Sequence, residues 1–284
     1  MKLEVFYCDE MVAHPSSFSP SAGKPAQVVD AWRTHGLPIE VVRPSSVGVQ
    51  DLHRAHDPLY VDDVLALRRA NGFGDRSAGV ASSLAWTSGA MLSAARRARA
   101  TRSVAVAPCS GFHHAGWDRG AGFCTFNGLM VAALALRELD GAASVGILDC
   151  DMHEGDGTDD IRRRLGESGQ IRHFTAGATY HRPDQAASFL ARLPAIVASM
   201  SDCDVLLYQA GADPHVQDPL GGWLTDDELR RRDEIVFESA RRFGLPVAWN
   251  LAGGYQRDSN GTIAPVLAIH VATARACVEA YGLR

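Results

Sequence analysis

The chain has 284 residues, 46% of them hydrophobic and 21% charged, with a formal net charge of -5, a balance that gives no general attraction to nucleic acid or to an anionic membrane surface. No apolar run approaches the roughly 20 residues needed to cross a bilayer, so a membrane partner is not expected either. Six cysteines are scattered without a Cys-x-x-Cys pair, which reads as free thiols in a reducing, cytoplasmic setting rather than a disulfide framework.

Met1 to Cys8 contains Glu4 and leads straight into Asp9 and Glu10, so it reads as a first strand, Leu3 to Tyr7, and not as the apolar part of a signal peptide. A helix-like stretch at Pro25 to Thr34 and a strand at Ile39 to Val42 follow. Arg43 to Asp57 reads as a loop, Tyr60 to Arg69 as a helix, and the glycine-rich Asn71 to Gly79 as a loop placed to border a site. Then come a helix at Ala78 to Arg99, a strand at Ser103 to Ala107, a helix at Gly128 to Leu139 and a strand at Ser144 to Asp149. Further strands are expected at Ile171 to Phe174, Val205 to Gln209 and Val247 to Leu251, with helices at Gln185 to Met200, Asp226 to Arg242 and Ile263 to Tyr281. Short β-branched runs alternating with helical periodicity specify an α/β fold, a mostly parallel sheet flanked by helices on both faces in three layers. Nothing divides the chain, so a single domain over residues 1–284 is expected. Thr225, with Glu228 three residues later, marks a helix start by capping-box logic. The runs Arg96-Arg97-Ala98-Arg99 and Arg230-Arg231-Arg232 read as solvated helix faces.

The chemically distinctive residues gather just after candidate strands, where parallel α/β sheets place their ligand sites. Asp149, Asp151 and His153 alternate, so on an extended backbone they point the same way. An imidazole with carboxylates can hold a divalent metal, and three protein ligands leave an open position for chemistry; Asp213, after the strand Val205 to Gln209, is the natural third ligand. Carboxylates crowded in this way call for bound positive charge. His113 and His114 lie on a turn that Gly111 and Gly116 permit, so both rings can face one pocket. Each then needs an orienting partner, and Asp149 and Asp156 are the carboxylates left to serve. Leu251-Ala252-Gly253-Gly254-Tyr255 brings a tyrosine to a fourth strand end.

Motif by motif, these segments resemble the histone deacetylase superfamily, including its bacterial deacetylase-like and acetylpolyamine amidohydrolase members. The matching elements are His113-His114 with Gly122-Phe123-Cys124-Thr125-Phe126-Asn127, Asp149-Cys150-Asp151-Met152-His153 with Gly155-Asp156-Gly157-Thr158, Gly211-Ala212-Asp213 with Asp218-Pro219-Leu220, and Gly253-Gly254-Tyr255. His56-Asp57-Pro58-Leu59-Tyr60 is similar to an element upstream of the site. The resemblance implies an arginase/deacetylase-like fold and a zinc-dependent deacetylase acting on an N-acetylated amine, with Asp151, His153 and Asp213 on Zn2+. It implies His114 as general base and acid, His113 as electrostatic aid, Asp149 and Asp156 as orienting carboxylates and Tyr255 as oxyanion donor. Phe123 and Leu220 match tunnel positions, and Asp75 matches a rim carboxylate that contacts substrate. Fe2+ also suits the oxygen-rich ligand set, and Thr175 stands in place of the serine at the family's structural K+ site beside Asp149.

Two departures from the family pattern bear on the rim. Glu154 stands where many members have a second histidine, and Phe174 to Tyr180 lacks the usual Ser-x-His. Acetyl-lysine peptides, acetylated polyamines and small acetamides all stay open as substrates, and the sequence is silent on oligomeric state. A binuclear ureohydrolase site would need a further carboxylate beside Asp213, where Pro214 and His215 stand instead. A non-catalytic binder of acetylated ligands would have no use for Tyr255.

Overall fold

In the strand Val205–Gly211, Val205 and Leu207 enter one apolar core while Leu206, Tyr208 and Ala210 enter the other, as a sheet covered on both faces requires. The structure, a computed structural model, describes residues 1–284. In chain order its elements are β1 (Leu3–Phe6), α1 (Lys24–Thr34), β2 (Ile39–Val42), α2 (Val49–Ala55), α3 (Pro58–Leu65), α4 (Ala78–Thr101), β3 (Val104–Ala107) and α5 (Gly128–Glu138). They continue with β4 (Val145–Asp149), α6 (Asp156–Arg164), β5 (Ile171–Thr175), α7 (Ala186–Ala198), β6 (Val205–Gly211), α8 (Asp226–Phe243), β7 (Val247–Ala252) and α9 (Ala264–Tyr281).

The seven strands pair in parallel throughout, in the order β2-β1-β3-β7-β6-β4-β5. Helices α1, α7, α8 and α9 close one core and α2 to α6 the other, so the three-layer α/β architecture expected from the alternation is the one found. All seven strands lie within two residues of their expected ends. No helix is long and apolar enough to cross a membrane.

Three helix expectations need correction. The segment read as a loop from Arg43 to Asp57 contains α2, whose seven residues are too few to display a period of 3.6. Helix α6 was not expected, because Ile161 is its one large buried apolar residue. Its legible signature is electrostatic: acids in the first turn and Arg162, Arg163 and Arg164 in the last, matched to the helix dipole. Helix α3 starts and stops before the expected Tyr60 to Arg69. Asp57 caps it by accepting from Leu59 and Tyr60 N–H, Pro58 occupies the first turn, and Leu67 turns left-handed at φ 59°.

The capping box at Thr225 is present, with Glu228 N–H donating to Thr225 Oγ1 at 3.3 Å and Thr225 N–H to Glu228 Oε2 at 2.9 Å. The arginine run that follows is not wholly solvated. Arg230 and Arg231 are 51% exposed, but Arg232 is buried.

Candidate metal and catalytic site

Sheet order explains how segments a hundred residues apart meet. β3, β7, β6 and β4 are neighbours, so the turns after them, carrying Gly111 to Gly116, Gly253 to Tyr255, Gly211 to Asp213 and Asp149 to Asp156, open onto one edge of the sheet. One pocket there is lined by His113, His114, Asp151, His153 and Tyr255, together with Ser21, Ser110, Gly122 and Cys124.

The convergence of Asp149, Asp151 and His153 has a different local cause from the alternation expected along an extended strand. Asp149 ends β4, and beyond it the backbone bends. Asp149 Oδ1 accepts Asp151 N–H at 3.1 Å, and Asp151 Oδ1 accepts His153 N–H at 2.9 Å. These are two successive aspartate side-chain turns, and they place His153 Nδ1 at 3.2 Å from both Asp151 Oδ1 and Asp213 Oδ2.

One ligand atom each from Asp151, His153 and Asp213 falls within 4.8 Å of the others, and one imidazole with two carboxylates is a suitable donor set for a divalent cation. The electrostatics agree. Burial and the charge of Asp151 push Asp213 up to about 7, whereas Asp151, despite its burial, is held below the usual carboxylate range by His113 and His153. Hydrogen bonds to Asp151 and Asp213 raise His153 to about 10. A pair of buried carboxylates that resists double ionisation is relieved by a cation placed between them.

His113 and His114 sit with ring centroids 4.1 Å apart, each with its own carboxylate. His113 Nδ1 is 2.7 Å from Asp149 Oδ2, and His114 Nδ1 is 2.7 Å from Asp156 Oδ1. The two pairs differ in setting. The His113 side chain is 5% exposed and Asp149 is fully enclosed, whereas His114 is 21% and Asp156 47% exposed. Asp149 is also gripped by Gln209, whose Nε2 donates to its Oδ1 at 3.0 Å, and Gln209 is in turn approached by Asn250 Nδ2 at 3.3 Å. Asp156 instead meets Arg119 at 3.3 Å. Burial pulls His113 down, but Asp149 and Asp151 outweigh it and raise the ring to about 9. Gly122 is needed beside this pair, since a Cβ there would overlap the His114 ring.

Tyr255 follows Gly253 and Gly254, at φ 46° and 87°, which turn the chain back over the sheet edge. Its N–H donates to Asp218 Oδ2 at 2.8 Å while Leu220 N–H donates to Asp218 Oδ1 at 3.0 Å, so Asp218 staples the two turns together. Burial, with Asp213 and Asp151 nearby, keeps the Tyr255 hydroxyl protonated far above neutral pH. Phe123 adopts φ 64°, a conformation that costs a non-glycine residue about 1 kcal/mol or more. Phe123 N–H donation to Gly72 O at 3.0 Å and ring contacts to Tyr255 at 5.6 Å and Phe73 at 5.9 Å hold it there.

Of the remaining expected site residues, Leu220 is 38% exposed and is not among the pocket-lining side chains. The Asp75 carboxylate is engaged within its own neighbourhood: Ser77 N–H and Asn71 Nδ2 donate to Oδ1, and Ser16 N–H donates to Oδ2 at 3.0 Å. Thr175 lies opposite Asp149 in the β4–β5 register, and its Oγ1 accepts Gly155 N–H at 3.0 Å.

Two neighbours escaped the sequence reading. Lys24, fully buried at the start of α1, donates from Nζ to Gly253 O; burial lowers it to about 8 although Asp213, Asp151 and Asp218 oppose the shift. Phe18 is 61% exposed, yet its ring lies 5.2 Å from Phe123 and 6.2 Å from Tyr255. No motif marks either one.

Comparisons with known proteins bear on the family and the fold. A family model described as the histone deacetylase domain matches residues 20–167, which include His113, His114, Asp149, Asp151, His153 and Asp156; Asp213 and Tyr255 lie beyond the matched span. A probable deacetylase of Methanothermobacter thermautotrophicus is 27% identical over 85% of this chain and 82% of its own length. Acetylpolyamine amidohydrolase 1 of Pseudomonas aeruginosa is 28% identical over 52% of this chain and 50% of its own. The crystal structure of the HDA15 HD domain superposes with a TM-score of 0.77 at 20% identity, covering 100% of this chain and 90% of that one, a likeness of fold.

Proposed function

This chain belongs to the histone deacetylase family of amide hydrolases, and from that premise we propose that it removes the acetyl group from an N-acetylated amine at a zinc site formed by Asp151, His153 and Asp213. The observation that carries the reading is the placement of two carboxylate-held histidines, three converging ligand atoms and Tyr255 around one pocket. The oxygen-rich donor set also suits Fe2+, availability deciding between the metals.

When bound, such a metal polarises the amide carbonyl and makes water a competent nucleophile near neutral pH. The chain's own residues supply the rest. With Nδ1 committed to Asp156, His114 has Nε2 free to take a proton from the attacking water and to return one to the leaving amine. His113, more deeply enclosed and fixed through Asp149 and Gln209, holds positive charge beside the developing oxyanion. Tyr255 donates its hydroxyl proton in a hydrogen bond to that oxygen. Phe123 provides an apolar wall for the neutral acetylated arm, with Leu220 and Asp75 at the rim, and Thr175 with Asp149 would serve a structural K+.

The test is acetate release by the zinc-loaded protein from acetyl-lysine peptides, acetylated polyamines and small acetamides measured side by side. Turnover of at least one class, lost on chelation and restored by metal, is expected; no turnover of any class by metal-loaded protein would overturn the reading. An acetylpolyamine preference, the activity named for one relative, would appear as a higher kcat/KM for the polyamine arm.

A further inference from the structure

Arg232 has its side chain fully enclosed in a helix whose neighbouring arginines are half-exposed. Its Nη1 donates to Gly211 O at 2.7 Å and to Cys150 O at 3.2 Å, and its Nε donates to Asp233 Oδ1 at 2.9 Å. Asp233 also accepts from the Tyr208 hydroxyl and, through Oδ2, from Thr273 Oγ1 at 2.6 Å, so the guanidinium is held in place from behind.

The two carbonyls are not arbitrary. Cys150 immediately precedes Asp151, and Gly211 ends β6 two residues before Asp213. The register of β4 against β6 stops at Asp149 opposite Gln209, with one more backbone bond from Cys150 N–H to Gln209 O at 3.1 Å. Past that point the two chains must run side by side to bring their carboxylates together, and Gly211 allows it: a Cβ there would come within 2.6 Å of Asp151 Cα and 2.7 Å of Cys150 O. Arg232 bridges the two strand ends where the ladder has run out. Stability alone does not call for a charge here, since a buried ion pair is often replaceable by apolar residues of similar volume. A planar fork with fixed donors suits the holding of two carbonyls at a set distance.

We propose that Arg232 is a positioning residue for the metal site, its guanidinium setting the spacing between the Asp151 and Asp213 turns and hence the geometry of the ligands. This rests on the reading of Asp151, His153 and Asp213 as metal ligands. Residues that orient ligands from behind typically change metal affinity by about 10- to 100-fold when replaced.

The experiment uses the full chain as wild type, as Arg232→Lys, and as Arg232→Met combined with Asp233→Asn, the last removing both charges so that none is left buried alone. Zinc affinity is measured against a competing chelator, the visible spectrum is recorded with Co2+, and the melting temperature of each metal-free protein is taken. Both variants are expected to fold, to bind zinc at least tenfold more weakly than wild type, and to show a shifted Co2+ spectrum. Zinc affinity within twofold of wild type and an unchanged Co2+ spectrum in the folded variants would overturn the proposal. So would failure of both variants to fold, which would make Arg232 a residue of the fold at large. Failure of the wild type to bind one zinc per chain would instead count against the metal site itself.

Discussion

Gly253 lies so close to the carboxylate of Asp213 that a Cβ at position 253 would overlap both its oxygens. The residue is also left-handed, at φ 46°, and its carbonyl receives the Lys24 ammonium. Gly253→Ala is therefore expected to displace Asp213 from the converging ligand set and to weaken zinc binding by about tenfold or more. Wild-type zinc affinity in the alanine variant, measured by chelator competition, would show that Asp213 is free to move and that this contact is incidental.

Tyr255→Phe keeps the ring against Phe123 and removes only the hydroxyl. The expected result is a fall of about 10²–10³ in kcat with metal affinity unchanged. His114→Ala should cost a comparable or larger factor, about 10²–10⁴, as a lost general base and acid. Full activity in either variant is inconsistent with the proposed mechanism; a steady-state assay with metal analysis of each preparation decides it.

Metal uptake should depend steeply on pH. In the metal-free protein His153 is raised to about 10 by Asp151 and Asp213, so it is protonated at neutral pH, whereas a ligating imidazole must be neutral. The raised value contributes stability to the metal-free fold that is fully present below the unfolded value near 6.5 and is lost as pH rises through about 10. Zinc must displace that proton, so affinity is expected to climb by up to about tenfold per pH unit from near 7 towards 10. Calorimetric titration in buffers of different ionisation enthalpy reads the proton release directly, and an affinity flat across pH 7–9 would contradict the assignment of His153.

Phe18 and Asp75 both bear on the N-terminal loop that lies beside Phe123. Phe18 meets Phe123 edge-on at 5.2 Å, and Asp75 anchors the same N-terminal loop through Ser16 N–H. An aromatic contact of this kind is worth about 0.5–1.5 kcal/mol, so Phe18→Ala should raise KM by roughly two- to tenfold with little change in kcat. Asp75→Ala should act in the same direction by freeing the loop. If Asp75 works through Phe18, the double variant is no worse than the more severe single one; if it touches substrate itself, the effects add. Steady-state constants for the four proteins separate the two accounts.

The strands were legible because a doubly covered parallel strand must be a short apolar run, and such runs stand out between polar turns. The acid-rich and histidine-rich strand endings were legible for a related reason: ligand sites of parallel sheets lie there, so residue type alone made Asp151, His153, His113 and His114 conspicuous. That Asp149 and Asp156 were left to serve the two histidines followed from counting the acids, but which histidine takes which acid came only with the structure. The short α2 and the polar α6 were not legible, since one is too brief for periodicity and the other buries a single large apolar side chain.

What only the tertiary structure decided concerns residues whose roles depend on what lies across space. The order β3-β7-β6-β4 brings four distant turns to one edge, and no local pattern encodes that order. Arg232 sits in a run of three arginines identical in type, and only the packing of α8 against the sheet selects one of them to face the strand ends. Lys24 and Phe18 belong to no motif and reach Gly253 and Phe123 across more than two hundred and about one hundred residues of sequence respectively. Sequence by itself determined which chemical groups and which fold class were present. Burial and strand order, which sum over contacts along the whole chain, decided how those groups are spaced and held.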